Sequence, residues 1–217
     1  MASTDSNASD STPEIGLITW DSEGMELPGN RFHSRVLHVP TEGSGLTLGR
    51  GYDMKERTPA EIARDLVAAG VAGTDAATIS QAAGLFGAGA RQFITDRRLD
   101  KFEISKPTQK NLFITTYNKL KADVVRISAK PDVVTAYGAC DWPNILQPIV
   151  DLVVDLRFRG DYTGTTRALV QKLVAGNDLA GLAQAMKVSA SWANVPSDRR
   201  QRRIAFLDQA LAARRPG

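Results

Sequence analysis

The sequence contains little cysteine and histidine. One cysteine, Cys140, and two histidines occur among its 217 residues. A single thiol cannot form an intramolecular disulfide, and so few candidate ligands argue against a dedicated zinc centre. We therefore expect no metal ion, no cofactor and synthesis in the reducing cytosol.

The chain also lacks a long apolar run and a strong charge of either sign. The longest apolar stretch, residues 145–156, is interrupted by Pro148, Asp151 and Asp155, so it is too short and too polar to span a bilayer. The formal net charge of +3 favours polyanionic partners only weakly, so an anionic cell wall fits and nucleic acid is not expected. With 42% hydrophobic residues, the composition predicts a globular protein with a core and no membrane insertion.

The N-terminal residues resemble neither a signal peptide nor a folded element. Residues 1–14 contain no lysine, no arginine and no apolar run, which predicts a disordered leader. We expect a protein made in the cytoplasm without a signal peptide. If it acts on the cell wall in the periplasm, a specialised route or lysis delivers it there.

The pattern of apolar residues predicts a mainly helical chain. Residues 15–20 form the first turns of a helix, and extended pieces at 35–39 and 46–48 follow. Thr58-Pro59-Ala60-Glu61 is a capping box with proline at the first helical position, and its helix carries Ile62, Leu66 and Val67 on one face. Further helices are expected at 76–86, 90–98, from 107 onward, 142–158, 165–174, 179–186 and from 197 onward.

These elements predict an α+β, mainly helical fold in a single domain of residues 15–217. We expect a small β-containing lobe at about 15–57 and an all-helical lobe at about 58–217. A cleft between two such lobes would suit a polymeric substrate.

The segment of residues 43–54 carries the candidate chemistry. It places Thr47 and Asp53 among four glycines, and Glu23 lies upstream on a separate element. In a straight strand Thr47 and Asp53 would be roughly 20 Å apart, at ~3.3 Å per residue, so they could not serve one reacting atom. We therefore predict a sharp bend at Gly49 and Gly51 that returns Asp53 to Thr47.

Two carboxylates that face one cleft are the groups needed to hydrolyse a glycosidic bond. One of them, with Glu23 as the candidate, would protonate the leaving oxygen, and the other group would activate water that a hydroxyl such as that of Thr47 could hold. If the reaction inverts the anomeric carbon, the two carboxyls should lie roughly 6.5–9.5 Å apart.

Structural roles for the same residues stay open. Asp53-Met54-Lys55-Glu56 is also a helix-capping pattern, and Thr47 is an ordinary strand residue. Glu23 would by local sequence be a solvated carboxylate, and the nearby Asp21, Glu26 and Glu42 compete for the acid role.

The sequence resembles the lysozyme domain of the pesticin and phage-lysozyme family. The resemblance rests on Ser22-Glu23-Gly24 and residues 44–53 (SGLTLGRGYD), with weaker support from 107–113, 154–162 and 192–203. It implies a lysozyme-like two-lobed fold and a muramidase that cleaves the β-1,4 bond between N-acetylmuramic acid and N-acetylglucosamine. By the resemblance, Glu23 matches the catalytic acid, and Thr47 and Asp53 match the other two catalytic positions. Because phage enzymes of the family invert the anomeric carbon, the resemblance implies that Asp53 and Thr47 form the water-activating side and leaves the split of roles between them open.

The remaining expectations concern substrate and setting. The candidate substrate-binding residues are Arg50, Tyr52, Tyr137 and Trp142. The three aromatic residues among them could stack on sugar rings, although aromatic side chains more often belong to the core. The basic stretch 199–203 is interpreted as a solvated helix face. We expect a monomeric antibacterial effector or toxin that binds peptidoglycan glycan strands, with an immunity protein that occupies its cleft. The alternatives are a phage endolysin and a non-catalytic peptidoglycan-binding module.

Overall fold

The structure, a computed structural model, describes residues 11–24 and 33–214. Most of the predicted leader (1–14) and the rival acid Glu26 therefore lie outside the described residues. The described chain is mainly helical with one small antiparallel sheet, which confirms the mainly helical α+β class. Within these two ranges, no helix combines the length and the apolarity that a membrane crossing requires.

The described residues form ten α-helices and two short strands. The strands are β1 (Thr47–Leu48) and β2 (Tyr52–Asp53). The helices are α1 (Leu17–Trp20), α2 (Pro59–Ala69), α3 (Gly73–Ile79), α4 (Gly87–Asp96), α5 (Lys106–Ser128), α6 (Pro131–Tyr137), α7 (Gln147–Arg159), α8 (Gly164–Ala175), α9 (Leu179–Lys187) and α10 (Ser197–Ala212).

The chain divides into two compact units whose boundary differs from the predicted one at residue 57. Among the described residues, 11–13, 23–24 and 33–116 belong to the first unit, and 14–22 and 117–214 belong to the second. The reason lies in the core of the first unit, where Leu48 and Tyr52 of the strands share one apolar cluster with Ile62, Leu66 and Leu112 of the helices. A two-stranded ribbon cannot bury its own apolar face, so it requires α2 and the start of α5.

Local signals placed the start of α2 correctly. The hydroxyl of Thr58 accepts a hydrogen bond from Glu61 N at 3.2 Å, and the Glu61 carboxylate accepts one from Thr58 N at 2.9 Å, so the predicted capping box is confirmed. Ile62 and Leu66 are fully buried as predicted. Val67 is 52% exposed, so its assignment to the buried face was wrong.

The helix predicted over residues 142–158 is two separate elements. A short 3₁₀ helix spans Trp142–Asn144, Ile145 after it is extended, and α7 begins at Gln147. Pro148 explains the break, because proline lacks the N–H of a helix interior and is accommodated in a first turn.

The second unit has a buried ionic network where the sequence suggested a solvated face. Asp155 is fully buried and accepts hydrogen bonds from Thr19 Oγ1 at 3.0 Å and from the guanidinium groups of Arg199 and Arg203. Arg203 also pairs with Asp161, with Nη2 and Oδ2 separated by 2.8 Å. Since Arg199 and Arg203 are four residues apart on α10, they share the inward face, and the interpretation of 199–203 as wholly solvated was wrong.

Candidate functional site

A tight antiparallel hairpin brings Thr47 and Asp53 together. Thr47 pairs directly with Asp53, and Leu48 pairs with Tyr52. The turn between them is Gly49-Arg50-Gly51, with φ of +64° at Gly49 and +83° at Gly51, a region of backbone space that favours glycine. Paired Cα atoms in such a ladder lie about 4.5–5.5 Å apart. The predicted bend is therefore confirmed, and so is the glycine requirement at its two ends.

The carboxylate of Asp53 is held by two backbone N–H groups. Oδ2 accepts a hydrogen bond from Gly45 N at 3.1 Å, and Oδ1 accepts one from Lys55 N at 2.8 Å. The second contact forms a local turn, but the next helix begins only at Pro59, so Asp53 does not cap a helix. The side chain is half-buried, and its two oxygens are oriented by main chain on either side.

The hydroxyl of Thr47 contacts Gly45, the residue that donates to Asp53. Thr47 is 3% exposed, and its Oγ1 donates to the carbonyl of Gly45 at 3.1 Å. The same Gly45 residue donates its N–H to Asp53, so it links the hydroxyl to the carboxylate. The hydroxyl is therefore buried and already donates to the main chain, and its predicted water-holding role stays a prediction. The contacts make Thr47 a positioning residue for Gly45 and, through it, for Asp53.

Only glycine fits at position 45 if the carboxylate of Asp53 stays where it is. A Cβ atom at residue 45 would lie 2.3 Å from Asp53 Oδ1 and 2.7 Å from both Cβ and N of Lys55. Two of these three atoms belong to the hydrogen bond that orients Asp53, so a larger residue would displace the carboxylate.

Glu23 lies beside a main-chain contact with the turn of the hairpin. The carbonyl of Gly24, the next residue, accepts a hydrogen bond from Arg50 Nη1 at 3.1 Å. Glu23 is half-buried and belongs to the same compact unit as Thr47 and Asp53. The expected separation of the Glu23 and Asp53 carboxyls, roughly 6.5–9.5 Å, stays a prediction.

Arg50 has a supporting position and not the predicted substrate-binding one. It is only 6% exposed, and its guanidinium donates to Gly24 as described. Ser34 also adjoins Gly24, since a Cβ there would lie 2.7 Å from Ser34 Oγ, and Gln109 Nε2 donates to that oxygen at 2.7 Å. A buried polar cluster thus holds the main chain that follows Glu23.

Tyr52 is a core residue, which corrects its prediction as a sugar platform. The side chain has 0% exposure, its hydroxyl donates to Asp65 Oδ2 at 3.0 Å, and the guanidinium of Arg57 lies 4.1 Å from the ring centroid. Burial raises the pKa of Tyr52, and the nearby Arg57 opposes that rise. Without exposed surface this ring cannot stack on a sugar.

The other two predicted aromatic residues lie in the second unit. Tyr137 and Trp142 are both half-buried, and Trp142 Nε1 donates to Ser128 Oγ at 3.1 Å. Their assignment to substrate binding stays a prediction.

His38 adjoins the site although the sequence did not single it out. Its N–H donates to Thr47 O at 3.0 Å and its carbonyl accepts from Thr47 N at 2.8 Å, so His38, Thr47 and Asp53 form one lateral row. Directly paired side chains project on one face of a ladder. Burial lowers the pKa of His38, while its hydrogen bond to Val36 and the charge of Asp53 act in the opposite direction. The sequence predicted that residues 35–39, which include His38, are extended, but it could not show that this segment pairs with Thr47.

Phe86 and Lys55 are two further residues that the sequence did not single out. Phe86 forms an antiparallel bridge with Gly45, and Lys55 Nζ lies 5.0 Å from the centroid of its ring. Phe86 was predicted as the last residue of helix 76–86, and nothing in the local sequence indicated that it pairs with Gly45. No cluster of three His, Cys, Asp or Glu side chains suited to a metal ion occurs among the residues described.

Comparison with known proteins gives a family and no activity. A family model described as "Domain of unknown function (DUF8812)" matches residues 16–204, a range that includes Glu23, Thr47 and Asp53. No curated protein matches the chain.

Proposed function

This chain belongs to the DUF8812 family, and because that description assigns no function, we propose one from the geometry of the hairpin. The protein is a muramidase that hydrolyses the β-1,4 bond between N-acetylmuramic acid and N-acetylglucosamine in peptidoglycan. One observation carries the proposal: Asp53 pairs with Thr47 across a glycine turn whose Arg50 holds the main chain next to Glu23.

In this mechanism Asp53 is the general base. An ionised carboxylate acts only as an acceptor, which matches the two N–H donors that Asp53 receives. Asp53 takes a proton from water as the water oxygen attacks the anomeric carbon. Thr47 acts through Gly45 and keeps the base in place.

Glu23 is the general acid. It donates its proton to the glycosidic oxygen as the bond to the anomeric carbon breaks, so the reaction leaves Asp53 protonated and Glu23 ionised. Proton exchange with solvent then restores both groups. Attack by water on the face opposite to the leaving group inverts the anomeric carbon.

The lysozyme-like two-lobed fold and the biological setting belong to the same proposal. Its support is the resemblance of residues 22–24 and 44–53 to the pesticin and phage-lysozyme family. We assign the protein to antibacterial effectors or toxins that reach the periplasm by a specialised route, with an immunity protein as the partner that blocks the site. An endolysin released at phage lysis has the same chemistry and differs only in its delivery.

A non-catalytic peptidoglycan-binding module is the second candidate. One observation favours it: the hydroxyl of Thr47 and both oxygens of Asp53 are engaged by backbone groups, as in a purely structural hairpin. Such a module would bind isolated sacculi without releasing reducing ends.

The deciding experiment measures new reducing ends when the full chain is mixed with isolated sacculi. We compare the wild type with Glu23→Gln, Asp53→Asn and, as a matched control, Glu56→Gln at an exposed acid of the same unit. Removal of a general acid or base is expected to reduce the rate by about 10²–10⁴-fold, while the control retains full activity.

The outcomes separate the two candidates. Undiminished cleavage by Glu23→Gln would refute the assigned mechanism. Sacculus binding without cleavage by the wild type would establish the second candidate. The Thr47→Ser and Thr47→Val variants then test positioning, since only serine retains the donor to the Gly45 carbonyl.

A further inference from the structure

Phe86 presents a large apolar surface next to the hairpin. It is 55% exposed, whereas the aromatic ring of Tyr52 in the same unit is fully buried. A single exposed apolar residue is ordinary in a soluble protein, so exposure alone assigns no role. Phe86 differs from such a residue because the main chain fixes its position beside Asp53.

Phe86 directly precedes α4, and the start of this helix is fastened to the loop before β1. Gly45 and Phe86 form an antiparallel bridge, and Gly87 N donates to Ser44 O at 3.0 Å. Arg91 Nη2 donates to both carboxylate oxygens of Glu42, at 2.5 and 2.6 Å. Because Gly45 also donates its N–H to the candidate base, Phe86 is held at a fixed distance from Asp53.

Lys55 places its positively charged ammonium group next to the ring of Phe86. Its Nζ lies 5.0 Å from the centroid of the Phe86 ring and donates to Gly43 O at 3.2 Å. Its backbone N–H donates to Asp53 Oδ1. One residue thus joins the exposed ring, an ammonium group and the candidate base.

We propose that Phe86 and Lys55 form a sugar subsite beside Asp53 that accepts an acidic sugar ring. The ring of Phe86 stacks on the apolar C–H face of the sugar, and the ammonium of Lys55 pairs with a carboxylate on it. The N-acetylmuramyl unit of peptidoglycan carries such a carboxylate on its lactyl group, whereas the units of chitin do not. This subsite rests on the proposed function and names the part of the substrate that lies next to the base.

The contribution of the ring is tested by steady-state kinetics on soluble peptidoglycan fragments. Phe86→Ala is expected to raise KM by about 2–12-fold, the range of aromatic stacking contributions, with the loss confined to KM. Phe86→Trp retains a ring and should stay near the wild-type KM. Val67→Ala removes an apolar side chain of similar exposure from the same unit and should change nothing.

The contribution of the charge is tested by a change of substrate. Lys55→Gln is expected to weaken binding of muramyl oligosaccharides and to leave chitin oligosaccharides of equal length unaffected. The same substitution at the exposed Lys101 is the matched control. Equal losses on both substrates would refute the assignment of Lys55 to a carboxylate.

The failure of this subsite can be told apart from failure of the proposed function. If the wild type cleaves and Phe86→Ala has the KM of Val67→Ala, the subsite is refuted and the function stands. If the wild type does not cleave, titration calorimetry with the same fragments replaces kinetics. Weaker binding by Phe86→Ala then supports the subsite, and unchanged binding or no binding by the wild type refutes it.

Discussion

Substitution of Gly45 by alanine tests the hairpin site most sharply. The added Cβ would lie 2.3 Å from Asp53 Oδ1 and 2.7 Å from Lys55 N, and real Cβ atoms essentially never approach another atom within 3.0 Å. The carboxylate must therefore move by at least about 0.7 Å, or the backbone at Lys55 must shift. Either movement disturbs the hydrogen bonds that orient Asp53.

The size of the effect follows from this contact. Overpacking costs about 1–3 kcal/mol, and a chain of this length changes its melting temperature by about 2–4 °C per kcal/mol, so thermal unfolding should begin several degrees lower. A misplacement approaching 1 Å at a reacting group reduces a rate by about 10²-fold. We therefore expect a large loss of sacculus cleavage with a modest loss of stability.

Gly43→Ala provides the matched control in the same loop. The nearest atom to a Cβ there is Thr41 Oγ1 at 4.0 Å, so alanine fits without contact. Its stability and activity should match those of the wild type. Wild-type unfolding and cleavage by Gly45→Ala would refute the reasoning, because the carboxylate would then tolerate displacement.

Three further predictions concern stability, measured by denaturant unfolding. Thr58→Ala should lower the free energy of unfolding by about 1 kcal/mol, because it removes the cap of α2. Arg203→Met should lower it by about 3 kcal/mol, because it breaks a buried ion pair and leaves Asp155 with Arg199 as its remaining cation, whereas Arg202→Met at the exposed neighbour should stay within about 0.5 kcal/mol. The pKa of His38 is lower in the folded protein than its ordinary value of 6.5. Its contribution to stability is therefore complete above that value and is lost as the pH falls through the folded pKa, so His38→Asn should flatten the decline in stability below about pH 6.5.

Features that depend on neighbouring residues were predicted correctly from sequence. The Thr58 capping box needs only residues that lie three apart, and its pattern specifies its own hydrogen bonds. The bend at Gly49 and Gly51 followed from chain length, because no straight strand can bring Thr47 to Asp53.

The boundary between the compact units could not be predicted in this way. The hairpin looked like part of a separate lobe because its strand pattern stops before Thr58. Its apolar face is completed by Leu66 and Leu112, which come from helices later in the chain. The surfaces that become buried depend on contacts between side chains far apart in the sequence, and local sequence patterns do not predict those contacts.

The sequence by itself determined the helical class, the glycine turn and the candidate residues Glu23, Thr47 and Asp53, because these depend on residue type and spacing. Only the tertiary structure decided which of their neighbours are covered. It buried Tyr52 and Arg203, which the pattern had placed at a binding surface and in solvent, and it exposed Phe86. The physical reason is that burial depends on contacts across the fold, and a side chain acquires its surroundings only when distant segments pack against it.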